Sequence, residues 1–144
     1  MVEEAPVIHI LDAGPLIAVM NRGDTYHHWA CTTIERLGPP FHSCAEAIAE
    51  AAAMTGRPAE IVEMIQAGEI VLSFDLSEQA ASVLALLRKY ADRNMDLADA
   101  CLVRMAELTR QCRVVTLDRA DFCVYRRNGR DLSPLIAPPH GRAS

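Results

Sequence analysis

The stretch "RVVTLDRADF", Arg113 to Phe122, decides how the chain is read. A short apolar run, Val114-Val115-Thr116-Leu117, stops at Asp118, and a second acid, Asp121, follows. Near the N-terminus "VIHILDAGPL", Val7 to Leu16, repeats the arrangement, with Val7 to Leu11 running straight into Asp12. Such runs are too short for helices and fit strands buried on both faces. Helical stretches alternate with further short apolar segments between them, the pattern of an α/β chain with a mostly parallel sheet. In such sheets ligands bind beyond the carboxyl ends of the strands. If residues 7–11 and 114–117 are parallel neighbours, Asp12 and Asp118 emerge at one edge and face one crevice.

The rest of the chain fits that frame. With 144 residues, 51% of them apolar and 5% aromatic, one domain with an Ala-, Leu-, Ile- and Val-built core is expected. The spacing predicts helices at 16–20, 25–37, 43–54 (closed by Gly56), 58–67, 77–90 and 95–109, and further strands within 39–44 and at 69–74. The domain is read as residues 1–130, and 131–144, rich in Pro and Gly, as an irregular tail. The acidic start "MVEEAP" does not resemble a signal peptide, and no apolar run approaches the ~18 residues of a membrane span, so a cytoplasmic protein with no membrane partner is expected. The five cysteines form no CxxC pair and read as buried thiols, and HExxH and HxxxH are absent, which argues against a zinc site. The net charge of −5 is uneven: residues 1–87 carry −9 and residues 88–144 carry +4.

Other acids fall into helical pairs. Asp96 and Asp99 lie three apart in "NMDLADACLV", and Glu46 and Glu50 four apart in "SCAEAIAE", each pair on one helix face. Oxygen-only donors of this kind suit Mg²⁺ or Mn²⁺. Each has a structural reading as well. Ser43 to Glu46 matches a capping box. Asp96 and Asp99 suit a helix N-terminus and align with Arg104, Glu107 and Arg110 as a polar stripe. Asp121 can cap a turn, and Asp75 a helix. His27 and His28 are adjacent on a helix, so they diverge and read as packing or surface.

Together these segments resemble the PIN domain, the metal-dependent nuclease fold of VapC-type toxins, over roughly residues 7–125. "ILDAGPLIAVMNRGDTYHHWA" is similar to the family's first strand, its acid and the following "D…H" helix; "CAEAIAEAAAMTGR" to the segment carrying its glutamate, matched to Glu46; "YADRNMDLADACLVRMAE" to its "DLADA" helix; and "VVTLDRADF" to its "TxDxxF" motif. Where many relatives have Ser or Thr shortly after the first acid, Ala13 and Gly14 stand here. The resemblance implies a PIN-like α/β/α sandwich and an endoribonuclease. Asp12, Glu46, Asp99 and Asp118 would be catalytic and would hold Mg²⁺ or Mn²⁺, with Asp96 and Asp121 supporting as metal ligands. It also implies a small antitoxin partner and a homodimer. Arg119, Arg126, Arg127 and Arg130 are expected to contact RNA phosphates. The metal-free site is expected to be strained by carboxylate repulsion and acid-sensitive. Two other classes remain: a non-catalytic PIN-like RNA- or protein-binding module, and an acidic-pocket phosphatase or receiver-like domain. The only lysine, Lys89, lies inside a helical stretch, which counts against a receiver.

Overall fold

The computed structural model describes residues 6–127, 131–132 and 134–139. In chain order the elements are β1 (Ile8–Leu11), α1 (Ala13–Met20), α2 (His27–Leu37), β2 (Phe41–Ser43), α3 (Ala45–Thr55), α4 (Pro58–Gln66) and β3 (Ile70–Leu72). They continue with α5 (Leu76–Lys89), a 3-10 turn (Ala91–Arg93), α6 (Leu97–Leu108), β4 (Cys112–Val115), α7 (Arg119–Val124), β5 (Arg126–Arg127), β6 (Asp131–Leu132) and β7 (Leu135–Ile136). The central sheet has the order β3-β2-β1-β4-β7, with every pairing parallel. β5 and β6 form a separate antiparallel pair.

The period-2 alternation of the strands divides the core into two layers. Ile10, Cys112, Val114 and Leu135 pack with α5 and α6 residues such as Val83, Leu86 and Leu102. Their neighbours Leu11, Val115, Phe41, Ile70 and Ile136 turn the other way, onto Leu16 of α1, Ile34 of α2 and Ile61 of α4. The fold class is therefore α/β, a parallel sheet between helical layers, consistent with the PIN-like α/β/α sandwich that the resemblance implied. α6 is the most deeply seated helix: Ala98, Ala100, Cys101, Leu102, Val103, Met105 and Ala106 are all buried. An apolar surface nearly all round marks a helix enclosed by the core. Among the described residues no helix is long and apolar enough to cross a membrane.

Strand order makes the edge. The chain steps outward from β1 through β2 to β3, then returns through α5 and α6 to lay β4 on the other side of β1. The order reverses between β1 and β4, where a parallel sheet opens a crevice at its carboxyl edge. Register fixes the two ends level, since Leu11 stands opposite Val115.

Two expectations are corrected. The sequence pattern puts the last strand of the motif at 114–117, but β4 ends at Val115, so Thr116 and Leu117 form a link before Asp118 rather than strand. The segment 131–144 was expected to be irregular; instead Leu135 and Ile136 pair with Val114 and Val115 as the outer strand. Two residues flanked by prolines are too short to show a period, and their apolar side chains are stabilised by tertiary contact alone.

Candidate metal site at the sheet edge

The site begins with the way α1 starts. Asp12 has extended backbone (φ −75°, ψ 162°) and caps α1, its Oδ1 accepting from Ala13 N–H at 2.7 Å. Its own N–H continues the ladder to Val115 O at 3.0 Å. Asp12 Oδ2 accepts from Thr116 Oγ1–H at 2.7 Å, and the same Oγ1 accepts from Asp118 N–H at 2.9 Å. Thr116 is fully buried. One hydroxyl thus ties together the two aspartates that follow neighbouring strands. The hydroxyl missing at Ala13 and Gly14 reaches Asp12 from across the sheet instead. Gly14 also lets α1 approach closely, because a Cβ there would stand 3.2 Å from Leu117 Cγ.

α6 and α7 bring the remaining aspartates. Asp96 and Asp99 form a capping box: Asp96 Oδ1 accepts from Asp99 N–H at 2.7 Å, and Asp99 Oδ2 from Asp96 N–H at 3.4 Å. Tyr125 Oη–H donates to Asp99 Oδ2 at 3.4 Å. Asp118 caps α7, Oδ1 accepting from Asp121 N–H at 3.2 Å. Asp12, Asp96, Asp99, Asp118 and Asp121 line one open cleft of about 360 Å³, together with Glu50, Asp24, Asn94, Gly14 and Ile17.

Glu46 is not among the residues lining the cleft. It stands beside Cys101, whose thiol is pushed up by its hydrogen bond with Cys44, by burial and by the Glu46 charge. The glutamate in the cleft is Glu50, one turn further along α3. The Ser43–Glu46 capping box is also absent: Cys44 is the N-cap without a side-chain bond, and Ser43 Oγ–H donates to Leu11 O at 2.8 Å. Ser43 ends β2, α3 begins at Ala45, and Glu50 on its second turn lines the cleft. The shared face of Glu46 and Glu50 was visible in sequence; which turn reaches the cleft was not. Asp24, whose Oδ1 accepts from Tyr26 N–H at 2.8 Å, was missed as well. Its place in the "D…H" segment was the available signal.

Other expectations resolve locally. Asp75 caps α5 through Ser77 N–H. His27 Nδ1 lies 2.7 Å from Ala18 O, a packing contact between α1 and α2. Cys44, Cys101 and Cys112 are buried thiols, whereas Cys31 is half-buried and Cys123 exposed. Arg119 donates to Ala137 O and Pro138 O at 3.3 and 3.4 Å, so it fastens the chain after β7. Arg126 and Arg127 form β5, and Arg130 lies outside the described residues.

The electrostatics are those of crowded acids. Burial pushes Asp12 up to about 6 against the Thr116 and Ala13 hydrogen bonds, with Glu50 and Asp118 adding to the rise. Burial and the charge of Asp96, then that of Asp12, push Asp99 up to about 8. Asp121 rises to about 6 through its hydrogen bond with Asp118, then burial. Glu50 is raised by burial and by Asp96. Such a cleft holds protons or a cation. Its donors are hard oxygens suited to Mg²⁺ or Mn²⁺. Among the described residues no three acid, imidazole or thiol side chains already close on one point. A hydrated Mg²⁺ or Mn²⁺, which keeps several waters, needs few direct protein ligands.

No protein-family model matches the chain, and no curated protein matches it.

Proposed function

We propose that the protein is a metal-dependent endoribonuclease of the PIN-domain, VapC type. One observation carries the reading: Asp12 and Asp118, which follow adjacent parallel strands, line one cleft with Asp96, Asp99, Asp121 and Glu50 at the point where strand order reverses. A bound Mg²⁺ or Mn²⁺ supplies Lewis acidity at a phosphodiester and acidifies water. Asp12 and Asp118 would be its principal protein donors, and Thr116 holds Asp12 in orientation. Asp99 and Glu50 complete the donor set, while Asp96 and Asp121 support it. In this reading Glu50 takes the role that the motif comparison gave to Glu46. A small antitoxin covering the cleft and a homodimer belong to the same proposal; exposed Met54 and Val62 on α3 and α4, and Leu84 on α5, offer apolar surface for such contacts.

A second reading, a non-catalytic RNA- or protein-binding module, draws on the capping bonds that already engage Asp96, Asp99 and Asp118. Calorimetric Mn²⁺ titration of the wild type beside Asp12→Asn, Asp118→Asn, Glu50→Gln and Glu46→Gln separates the two. The nuclease reading expects saturable binding that weakens in the first three and is retained in Glu46→Gln, with Mn²⁺-dependent cleavage of RNA following the same order. Binding indifferent to Asp12 and Asp118 leaves only the module.

A further inference from the structure

A cleft of seven carboxylates repels a phosphodiester, so the endoribonuclease reading needs positive charge at the rim as well as an ion within. Arg119 is committed to the carbonyls of Ala137 and Pro138. Another arginine, Arg93, directly precedes Asn94 of the cleft lining. After α5 the chain makes the 3-10 turn Ala91–Arg93, and Asn94 takes a left-handed conformation (φ 54°) before Asp96 caps α6. Asn94 and Asp96 both line the cleft, which puts Arg93 at its rim. The turn is anchored below, since Arg93 N–H donates to the carbonyl of buried Tyr90 at 2.9 Å. The Arg93 side chain is exposed. Among the described residues the ion-paired arginines are Arg57 and Arg104, and Arg93 makes neither an ion pair nor a side-chain hydrogen bond. A left-handed residue costs little at Asn, and Asn94 turns the chain from Arg93 toward the start of α6.

We propose that Arg93 is a substrate-binding residue of the cleft, gripping the non-bridging oxygens of an RNA phosphate next to the one that would be cut. The inference rests on the endoribonuclease reading and deepens it. A guanidinium presents two parallel N–H groups to two phosphate oxygens, a match that an ammonium lacks. Contact with the backbone positions the strand without reading its sequence.

The test is anisotropy of a labelled single-stranded RNA oligonucleotide in Mg²⁺ across a range of NaCl, in an Asp99→Asn background that prevents turnover. Arg93→Gln should bind about threefold to tenfold more weakly, and its slope of log K against log salt should be shallower by about 0.7. Arg93→Lys should keep the slope and lose part of the affinity. Arg110→Gln, beyond the opposite end of α6, should change neither. Unchanged affinity and slope in Arg93→Gln would overturn the assignment and leave the nuclease reading standing. Equal losses in Arg93→Gln and Arg110→Gln would also overturn it, as a general charge effect. If neither the parent nor the wild type binds the oligonucleotide, both the assignment and the reading fall.

Discussion

Thr116 bears more of the site than its type suggests. Its buried hydroxyl donates to Asp12 Oδ2 and accepts from Asp118 N–H, so both strand-end aspartates depend on one oxygen. Thr116→Val keeps the shape of the side chain and removes that oxygen. Asp118 N–H then loses its partner at a part-buried position, and Asp12 loses the donor that opposes its rise in pKa. Leaving such groups unsatisfied costs about 1–3 kcal/mol, which urea unfolding would read. Mn²⁺ affinity should fall roughly 10- to 100-fold, the range for removing a group that orients a ligand. Thr116→Ser, which keeps the hydroxyl, should retain most of that affinity. Equal metal binding in the valine and serine variants would reduce Thr116 to packing.

At the scale of elements, α6 is both the centre of the core and the carrier of two cleft acids, and these roles conflict at its first turn. Asp96 caps the helix, yet its charge also raises Asp99. The two effects separate by substitution. Asp96→Ala loses the cap and should destabilise the metal-free protein by about 1 kcal/mol. Asp96→Ser keeps a cap without the charge and should be at least as stable as the wild type at pH ~8, read by thermal unfolding. Elements such as α6 were legible because their apolar positions are many and their caps local: "DLAD" announces a helix start, and "ILDAGP" a strand followed by a turn. Legibility ended where tertiary contact decides. β7 is two residues stabilised by pairing with β4, α7 is a six-residue helix set by the Asp118 cap, and which of two glutamates on one helix face lines the cleft depends on how α3 sits against the sheet. Nothing in the sequence around Arg93 sets its place, which depends on the left-handed backbone of Asn94.

For the whole molecule, the cleft ties stability to protons and to cations. Asp12 and Asp121 are raised to about 6 and Asp99 to about 8, all above the ordinary carboxylate value near 3.9. Between those values the folded state binds more protons than the unfolded one, so stability falls as pH rises. The contribution is complete below pH ~4 and is lost as pH passes ~6 and then ~8. The metal-free protein is thus expected to be weakened by base, which reverses the acid sensitivity inferred from carboxylate repulsion alone: burial keeps these groups protonated, and acid relieves the crowding. A divalent ion acts in the opposite direction. It binds the ionised cleft, competes with the protons, and stabilises most where the metal-free protein is weakest. Thermal unfolding in EDTA should show Tm declining from about pH 5 to about pH 9, and saturating Mn²⁺ should flatten or invert that decline. Asp99→Asn, whose amide does not titrate, should remove the step near pH 8 in EDTA and much of the gain from Mn²⁺. A metal-free Tm that climbs across the same interval would mean that the cleft carboxylates are ionised and already compensated by charges of the protein, leaving a cation nothing to neutralise.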